Sequence, residues 1–166
     1  MNPIIKANLK SLQKTTILLS HLSNDHLTNK SVSPYHSSVG SHIRHILDFY
    51  NCILNPSNNN FDLTKRCRNL EVETSCDSAL SYLNTIKDGL QNLSCKDLER
   101  EVLVTDDLGL GKVDVIYTFS ALLAQANSHT IHHYAIINYI LDGINISLPD
   151  SDFGYNPTTP KSLNLN

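Results

Sequence analysis

The sequence predicts an all-α protein, a four-helix bundle with a short β-hairpin before the last helix. Three observations carry this. Apolar residues recur every three or four positions in four long segments, which is the period of an amphipathic helix. The segments are parted by stretches rich in Pro, Ser and Asn, which favour turns and loops. The chain has 166 residues, 40% of them hydrophobic, enough for one domain to bury its own core. Residues 1–166 therefore read as a single domain, with an irregular, Pro-containing tail from about 144, "LPDSDFGYNPTTPKSLNLN".

In the first helix, expected over about residues 3–28, the stripe is Ile4, Ile5, Leu9, Leu12, Thr16, Leu19 and Leu22. "NKSVSPYHSS" then breaks the pattern, because Pro34 and its serines disfavour continuation. Ser37 or Ser38 can open the second helix by accepting from a free first-turn N–H. Val39, Ile43, Ile46, Tyr50 and Ile53 form its apolar face, and "LNPSNNNFD" ends it. A third helix is expected from about Glu73 to Leu93, with Ala79, Tyr82, Leu83, Ile86 and Leu90 on one side. In "REVLVTDDLGLGKVDV", Val102 and Val104 alternate with polar neighbours and two glycines follow, the pattern of a short hairpin. The fourth helix should run from about Tyr117 to Leu141 and close at Asp142-Gly143, with glycine as its C-terminal cap. Two helices of over 20 residues suit an antiparallel bundle. The first two connections, near ten residues or more, also permit a long crossover.

Composition narrows the function classes. Charged residues make up 17%, the net charge is −3, and the 13 Lys and Arg are scattered, so there is no basic stripe for a nucleic-acid backbone. Cys52, Cys67, Cys76 and Cys95 show no C-x-x-C spacing, which argues against a zinc knuckle or redox pair and for reduced thiols in the cytoplasm. "MNPIIKANLK" lacks the apolar core of a signal peptide. No apolar run approaches the roughly 18 residues that span a bilayer. The expectation is a soluble cytoplasmic protein acting on a small molecule, away from membranes and nucleic acid, with a homodimer compatible with this reading.

Three histidines fall within five positions of the fourth helix, in "NSHTIHHYAIINYIL". Leu122, Ala126, His129, His133, Ile136 and Ile140 are spaced alternately by four and three, as in a seam that faces a bundle core. His129 and His133 then lie one above the other, the i, i+4 arrangement that offers two nitrogens to one metal ion. His132 falls on the flank of the stripe. Two ligands seldom hold an ion firmly, and "SVGSHIRHILDFY" supplies a second seam, Ser38, His42, His45, Phe49 and Cys52. Either His42 or His45 could complete the site. Three imidazoles would leave a coordination position open, as catalytic sites do. They suit zinc, nickel, iron or copper. Asp48, one turn beyond His45, is placed to accept that ring's second N–H. The plain alternative is that these are core or rim histidines bonded to neighbours.

At these residues the chain resembles the DinB-like superfamily of metal-dependent four-helix-bundle enzymes. Its members carry one histidine on the second helix, in a segment like "SVGSHIRHILDFY", and an H-x-x-x-H pair on the last, matched by "HTIHH". Position by position, the resemblance implies His45, His129 and His133 as ligands. It extends through "FDLTKRCRNLEVE" to "DFGYNPTTP". One departure concerns the pocket wall: many members open the second helix with Trp-Ser, whereas this chain has "YHSSVG" and no Trp. The resemblance implies a divalent transition metal, with zinc or nickel first and iron after them. It further implies a thiol-dependent transferase or isomerase whose metal activates a low-molecular-weight thiol; a metal-dependent hydrolase is the alternative chemistry. A non-enzymatic bundle that binds a metal or a partner is the rival class. Further candidates are Lys65, Arg66 and Arg68, as anchors for an anionic substrate or a thiol's carboxylates, and Tyr134 and His132, as proton donors. His21, His26 and His36 lie in or near loops.

Overall fold

The structure, a computed structural model, describes residues 1–56 and 60–159. Part of the expected loop after the second helix (57–59) and the end of the expected tail (160–166) lie outside the described residues. The elements in chain order are α1 (Pro3–Ser20), α2 (Asn24–Thr28), α3 (Val39–Leu54), β1 (Phe61–Asp62), α4 (Cys76–Gln91), α5 (Cys95–Glu99), β2 (Glu101–Asp107), β3 (Lys112–Thr118) and α6 (Phe119–Gly143). Short 3-10 turns occupy Leu63–Lys65 and Leu70–Glu73. The chain is mostly helical, with one small three-stranded sheet.

Local chemistry sets the helix starts. Asn2 accepts from the Ile4 N–H at 2.8 Å, and Pro3 takes the first helical position, where its missing N–H costs nothing. Ser38 caps α3 by accepting from the Ser41 N–H, which decides between the two serines read from sequence. Ser75 caps α4, and Thr118 caps α6. Three helix limits differ from expectation. The first helix stops at Ser20, because Ser23 and His26 form a capping box that starts α2. The third begins at Cys76, since Leu70–Glu73 winds as a 3-10 turn. Gly143 remains helical, and the positive-φ residue is Asn145. A side chain at Gly143 would collide with Val32 at 2.9 Å, so close packing accounts for glycine there.

The β-structure exceeds the hairpin expected. β2 and β3 pair antiparallel from Glu101↔Thr118 to Asp107↔Lys112. Their turn is held by the Asp107 carboxylate, which accepts from the N–H groups of Gly109 and Gly111. Both glycines have positive φ, the region that disfavours other residues. β1 adds a parallel edge with the register Phe61↔Val104 and Asp62↔Thr105. Two residues of strand carry no readable alternation, so β1 is absent from the sequence reading. Its effect is to bring the basic segment that follows it to the flank of α3.

α1 and α3 each pack on both α4 and α6. The shared core includes Leu12, Leu18, Ile43, Leu47, Leu83, Leu123 and Ile137, all fully buried. Polar side chains enter this core and are bonded there, as burial requires. The Tyr50 hydroxyl donates to Asn8 Oδ1 at 2.6 Å, and Asn8 Nδ2 donates to the Ile4 carbonyl. Tyr134 donates to the Ser11 carbonyl at 2.9 Å and lies 2.5 Å from the Thr15 hydroxyl. These bonds tie α1 to α3 and to α6 inside the apolar interior.

α3 meets the turn before α4 so closely that a Cβ at Gly40 would collide with the Glu73 carbonyl oxygen. Backbone cannot yield as a side-chain tip can. Gly40→Ala is therefore expected to lower stability by about 1–3 kcal/mol, the usual cost of overpacking, read as a fall in the urea midpoint. A midpoint unchanged from the wild type would show that the two segments are not in contact.

Candidate metal centre

α3 and α6 lie side by side, and histidines from both face the seam between them. His129 and His133, one turn apart on α6, present their Nε2 atoms 3.1 Å from each other. From α3, His45 Nε2 comes within 2.8 Å of His129 Nε2. One potential ligand atom from each of the three rings lies within 4.8 Å of the others. The rings are partly buried, so the cluster sits at the border of core and solvent.

Behind it stands a second layer. His42 Nδ1 lies 2.9 Å from His133 Nδ1, and the far nitrogen of His42 is 2.8 Å from the Ser37 hydroxyl. His133 thus turns one nitrogen to the cluster and the other to His42, the arrangement that fixes tautomer and ring orientation in metal sites. Phe49 stacks on His129 with centroids 4.9 Å apart and planes 27° from parallel. The Arg66 guanidinium lies over the other part of this stack, 5.5 Å from the Phe49 centroid.

Electrostatics keep these rings neutral. Burial first, then the charges of Arg66 and neighbouring rings, bring His45 down to about 4. Burial, with His129, His45, His42 and His132 following, brings His133 down to about 2. His129 and His42 are lowered as well, again by burial first. Neutral imidazole is the form that binds a metal. Three neutral rings with Nε2 atoms turned on one another cannot all be satisfied by sharing protons, because each ring carries one donor and one acceptor. A cation resolves that conflict. Zn–N bonds of about 2.1 Å with tetrahedral angles separate the nitrogens by roughly 3.4 Å, so an ion would need the His45–His129 pair, now at 2.8 Å, to part by about 0.6 Å and the His129–His133 pair, at 3.1 Å, by about 0.3 Å. The donor set fits a metal.

Other sequence candidates lie elsewhere. Asp48 does not receive His45. Its carboxylate accepts from Arg44 Nη1 at 3.1 Å, from the Asn69 N–H at 3.4 Å and from the Tyr82 hydroxyl at 3.4 Å. A guanidinium one helical turn away, with full charge and several donors, outcompetes a neutral imidazole with one. Arg44 also donates to Glu73 at 2.5 Å, so Asp48 belongs to a clamp between α3 and α4. Burial raises its pKa, against the bonds to Arg44 and Asn69. Tyr134 is in the core, bonded to α1, and is no proton donor at the cluster. His132 is exposed, with its ring tilted against His133 at 5.4 Å. Arg68 is exposed, and Lys65 pairs with Asp62 at 3.6 Å. The bond of Ser37 to His42 and the stacking of Phe49 on His129 under Arg66 were not read from the sequence; the i, i+4 spacing of Arg44 and Asp48 was the one legible sign that Asp48 was already engaged.

Fold and cluster together define a class: a mostly helical protein whose three-histidine site fits metal binding. Among solved structures, the chain is similar to a DinB-like protein, YjoA from Bacillus subtilis, with 26% sequence identity and a TM-score of 0.60 over 89% of this chain and 96% of that one. This likeness supports the resemblance to the DinB-like superfamily read from the sequence. No protein-family model matches it, and no curated protein matches it. Among the described residues, no helix is long and apolar enough to cross a membrane.

The layers should separate by substitution. His45→Gln is expected to lose the metal, His42→Gln to weaken its affinity roughly 10–100-fold as outer partners do, and His132→Gln to leave metal content unchanged. Equilibrium dialysis against zinc checks the ranking. A loss in His132→Gln equal to that in His45→Gln would reverse the assignment.

A pH dependence follows as well. His45 and His133 titrate lower in the folded chain than at their ordinary value of 6.5, so the unfolded chain binds more protons in acid. The stability they confer as neutral groups is complete above pH 6.5. It falls as pH drops from 6.5 toward about 4 for His45, and further toward about 2 for His133. Urea midpoints of chelator-treated protein at pH 7.5, 6 and 5 should decline in that order, and less steeply in His45→Gln.

Proposed function

We propose that the chain is a metal-dependent enzyme, a single-domain four-helix bundle of α1, α3, α4 and α6. In this reading it holds a divalent transition metal through His45, His129 and His133. Zinc and nickel suit three imidazoles best, with iron next. The observation that carries the proposal is the convergence of three neutral Nε2 atoms from two helices, without a fourth ligand in the cluster among the described residues. Structural zinc sites are closed by four protein ligands, whereas three leave a position for a reactant. Likeness to a DinB-like protein supports the same reading.

The reaction we assign is thiol-dependent group transfer to a small molecule in the cytoplasm. Bound there, the metal would supply Lewis acidity and lower the pKa of a thiol placed at its open position. The chain's own groups prepare the place. His42 holds the His133 ring through Nδ1, and Ser37 in turn steadies His42. Phe49 covers one face of His129 and keeps water from that side. The clamp of Arg44, Asp48 and Glu73 fixes α3 against the segment before α4, so that His45 is presented at a constant depth. The polar bonds of α1 to Tyr134 fix α6 in rotation about its axis.

Elemental analysis of purified protein, followed by a thiol-transfer screen with the metal restored, tests the reading. His129→Ala is expected to abolish metal binding and transfer while circular dichroism stays helical, because four packed helices bury far more apolar area than three ligands contribute. Unfolding of the metal-free protein would make the site structural, and full activity in His129→Ala would remove the metal from the chemistry.

A further inference from the structure

We propose that two copies of this chain pair through β3, the free edge of the sheet, as a two-fold dimer. The inference does not depend on the metal reading above. The sheet order is β1-β2-β3, and among the described residues no strand pairs with the outer side of β3. Along this strand Lys112, Val113, Asp114, Ile116 and Thr118 are exposed, and Val115 and Tyr117 are half-buried. Its backbone presents polar groups in a definite pattern. The Phe119 N–H donates to the Arg100 carbonyl at 2.9 Å, one step beyond the pair Glu101↔Thr118. Bonded and unbonded pairs alternate in an antiparallel ladder. Val113, Val115 and Tyr117 therefore bond to β2, and Lys112, Asp114 and Ile116 turn their N–H and C=O groups outward. An unpaired edge of this kind is ready to receive another strand.

Apolar side chains gather on the same hairpin. Leu103 and Ile116 stand opposite each other on its outer face, with Ile116 69% exposed, and the turn adds Leu108 at 73% and Leu110, which is fully exposed. Such groups beside an open edge mark a surface that associates. The second copy is the occupant because the strand is complementary to itself. With two β3 strands antiparallel about an axis at Val113, Lys112 of each copy stands opposite Asp114 of the other. This joins residues whose backbone groups point outward, and it sets opposite charges together twice. The same register brings Leu110 of each turn to the level of Ile116 of the second copy, beside Leu103, and closes an apolar cluster at either end. An axis at Asp114 would set two carboxylates against each other. An axis at Val115 would set Asp114 against Ile116, and one at Ile116 would carry Lys112 and Leu110 past the end of the strand. Within their own chain Lys112 lies 3.5 Å from Asp62, and Asp114 accepts from the Thr105 hydroxyl at 2.6 Å. Both stay exposed, and an ammonium with three donors or a carboxylate with two oxygens can take a second partner. A contact that uses the same patch on both copies closes on itself, which gives a dimer and no filament.

Sedimentation equilibrium of the full chain reads the outcome. The wild type is expected to sediment at twice the mass of the chain at micromolar concentration. Asp114→Lys sets lysine against lysine in this register and should raise the dissociation constant at least roughly tenfold, since like charges facing each other across an interface suppress association. Lys112→Asp should do the same. The double swap, Lys112→Asp with Asp114→Lys, restores opposite charges at each position and should bring the affinity back to that of the wild type. Leu110→Lys, at a fully exposed position, should weaken the dimer while circular dichroism stays unchanged, so that lost association is not mistaken for lost folding. A wild-type monomer throughout the micromolar range, or a mass above that of a dimer, would overturn the proposal. So would a dimer that Asp114→Lys and Leu110→Lys leave intact, which forms through another face. A double swap no tighter than the single variants would remove the register, and with it the pairing through β3.

Discussion

The rotation of α6 about its own axis is the constraint on which the site depends. One side of this helix must enter the core, and the side that does so is marked by Leu122, Ala126, Thr130, Tyr134, Ile137 and Leu141, all buried. His129 and His133 then fall one position away from that face, partly buried, toward α3. Turned by one residue inward, they would be desolvated in the core with no opening for a reactant. Turned outward, they would be too exposed to remain neutral at low pH. The Tyr134 hydroxyl, held between Thr15 and the Ser11 carbonyl, prevents either turn, because a buried phenol that loses both partners costs about 1–3 kcal/mol.

This is also where sequence and structure part. Apolar periodicity put His129, His133 and Ile136 on the inward seam, but the inward seam runs through Thr130, Tyr134 and Ile137. Leu122, Ala126 and Ile140 of the seam read from sequence are buried as expected, and the phase is off by one residue only between them. The same happened on α1, where Asn8 and Thr15 are fully buried and Leu9 is not. The cause is physical: a stripe counted in apolar letters skips polar residues that the core accepts because they bond one another. On α3 the buried Asp48 lies off the apolar stripe that was read, and Val39, Ile43, Ile46, Tyr50 and Ile53 are all buried as expected. Pairing of histidines across α3 and α6 was legible despite the phase error, since an i, i+4 pair stays together on a helix however the helix is turned. The role of Asp48 was legible only through its i, i+4 spacing to Arg44, because its other partners, Asn69 and Tyr82, come from distant parts of the chain.

Strands and loops follow a different logic. The glycines and the valine alternation announced β2 and β3, but β1 owes its existence to pairing with β2 and has no pattern of its own. Yet β1 has a large effect on the site. Its parallel pairing with β2 fixes Phe61 in the core beside Phe119 at 5.8 Å. The chain that leaves it, through the 3-10 turn Leu63–Lys65, delivers Arg66 to Phe49. In sequence the basic run "KRCR" offers Lys65, Arg66 and Arg68 as equal candidates; its separation into an exposed Arg68 and a stacked Arg66 is a consequence of that tether.

Stability and chemistry are coupled through these same groups. Keeping four imidazoles neutral and part-buried, with a guanidinium over an adjacent ring, makes the metal-free site a region where proton uptake is resisted and positive charge is already present. A second cation at the cluster adds to Arg66 instead of cancelling it. The surroundings of the cluster therefore favour negative charge, and the stacked Phe49 sets the distance from Arg66 to His129: the guanidinium lies 5.5 Å from the Phe49 centroid, and that ring lies 4.9 Å from the His129 ring.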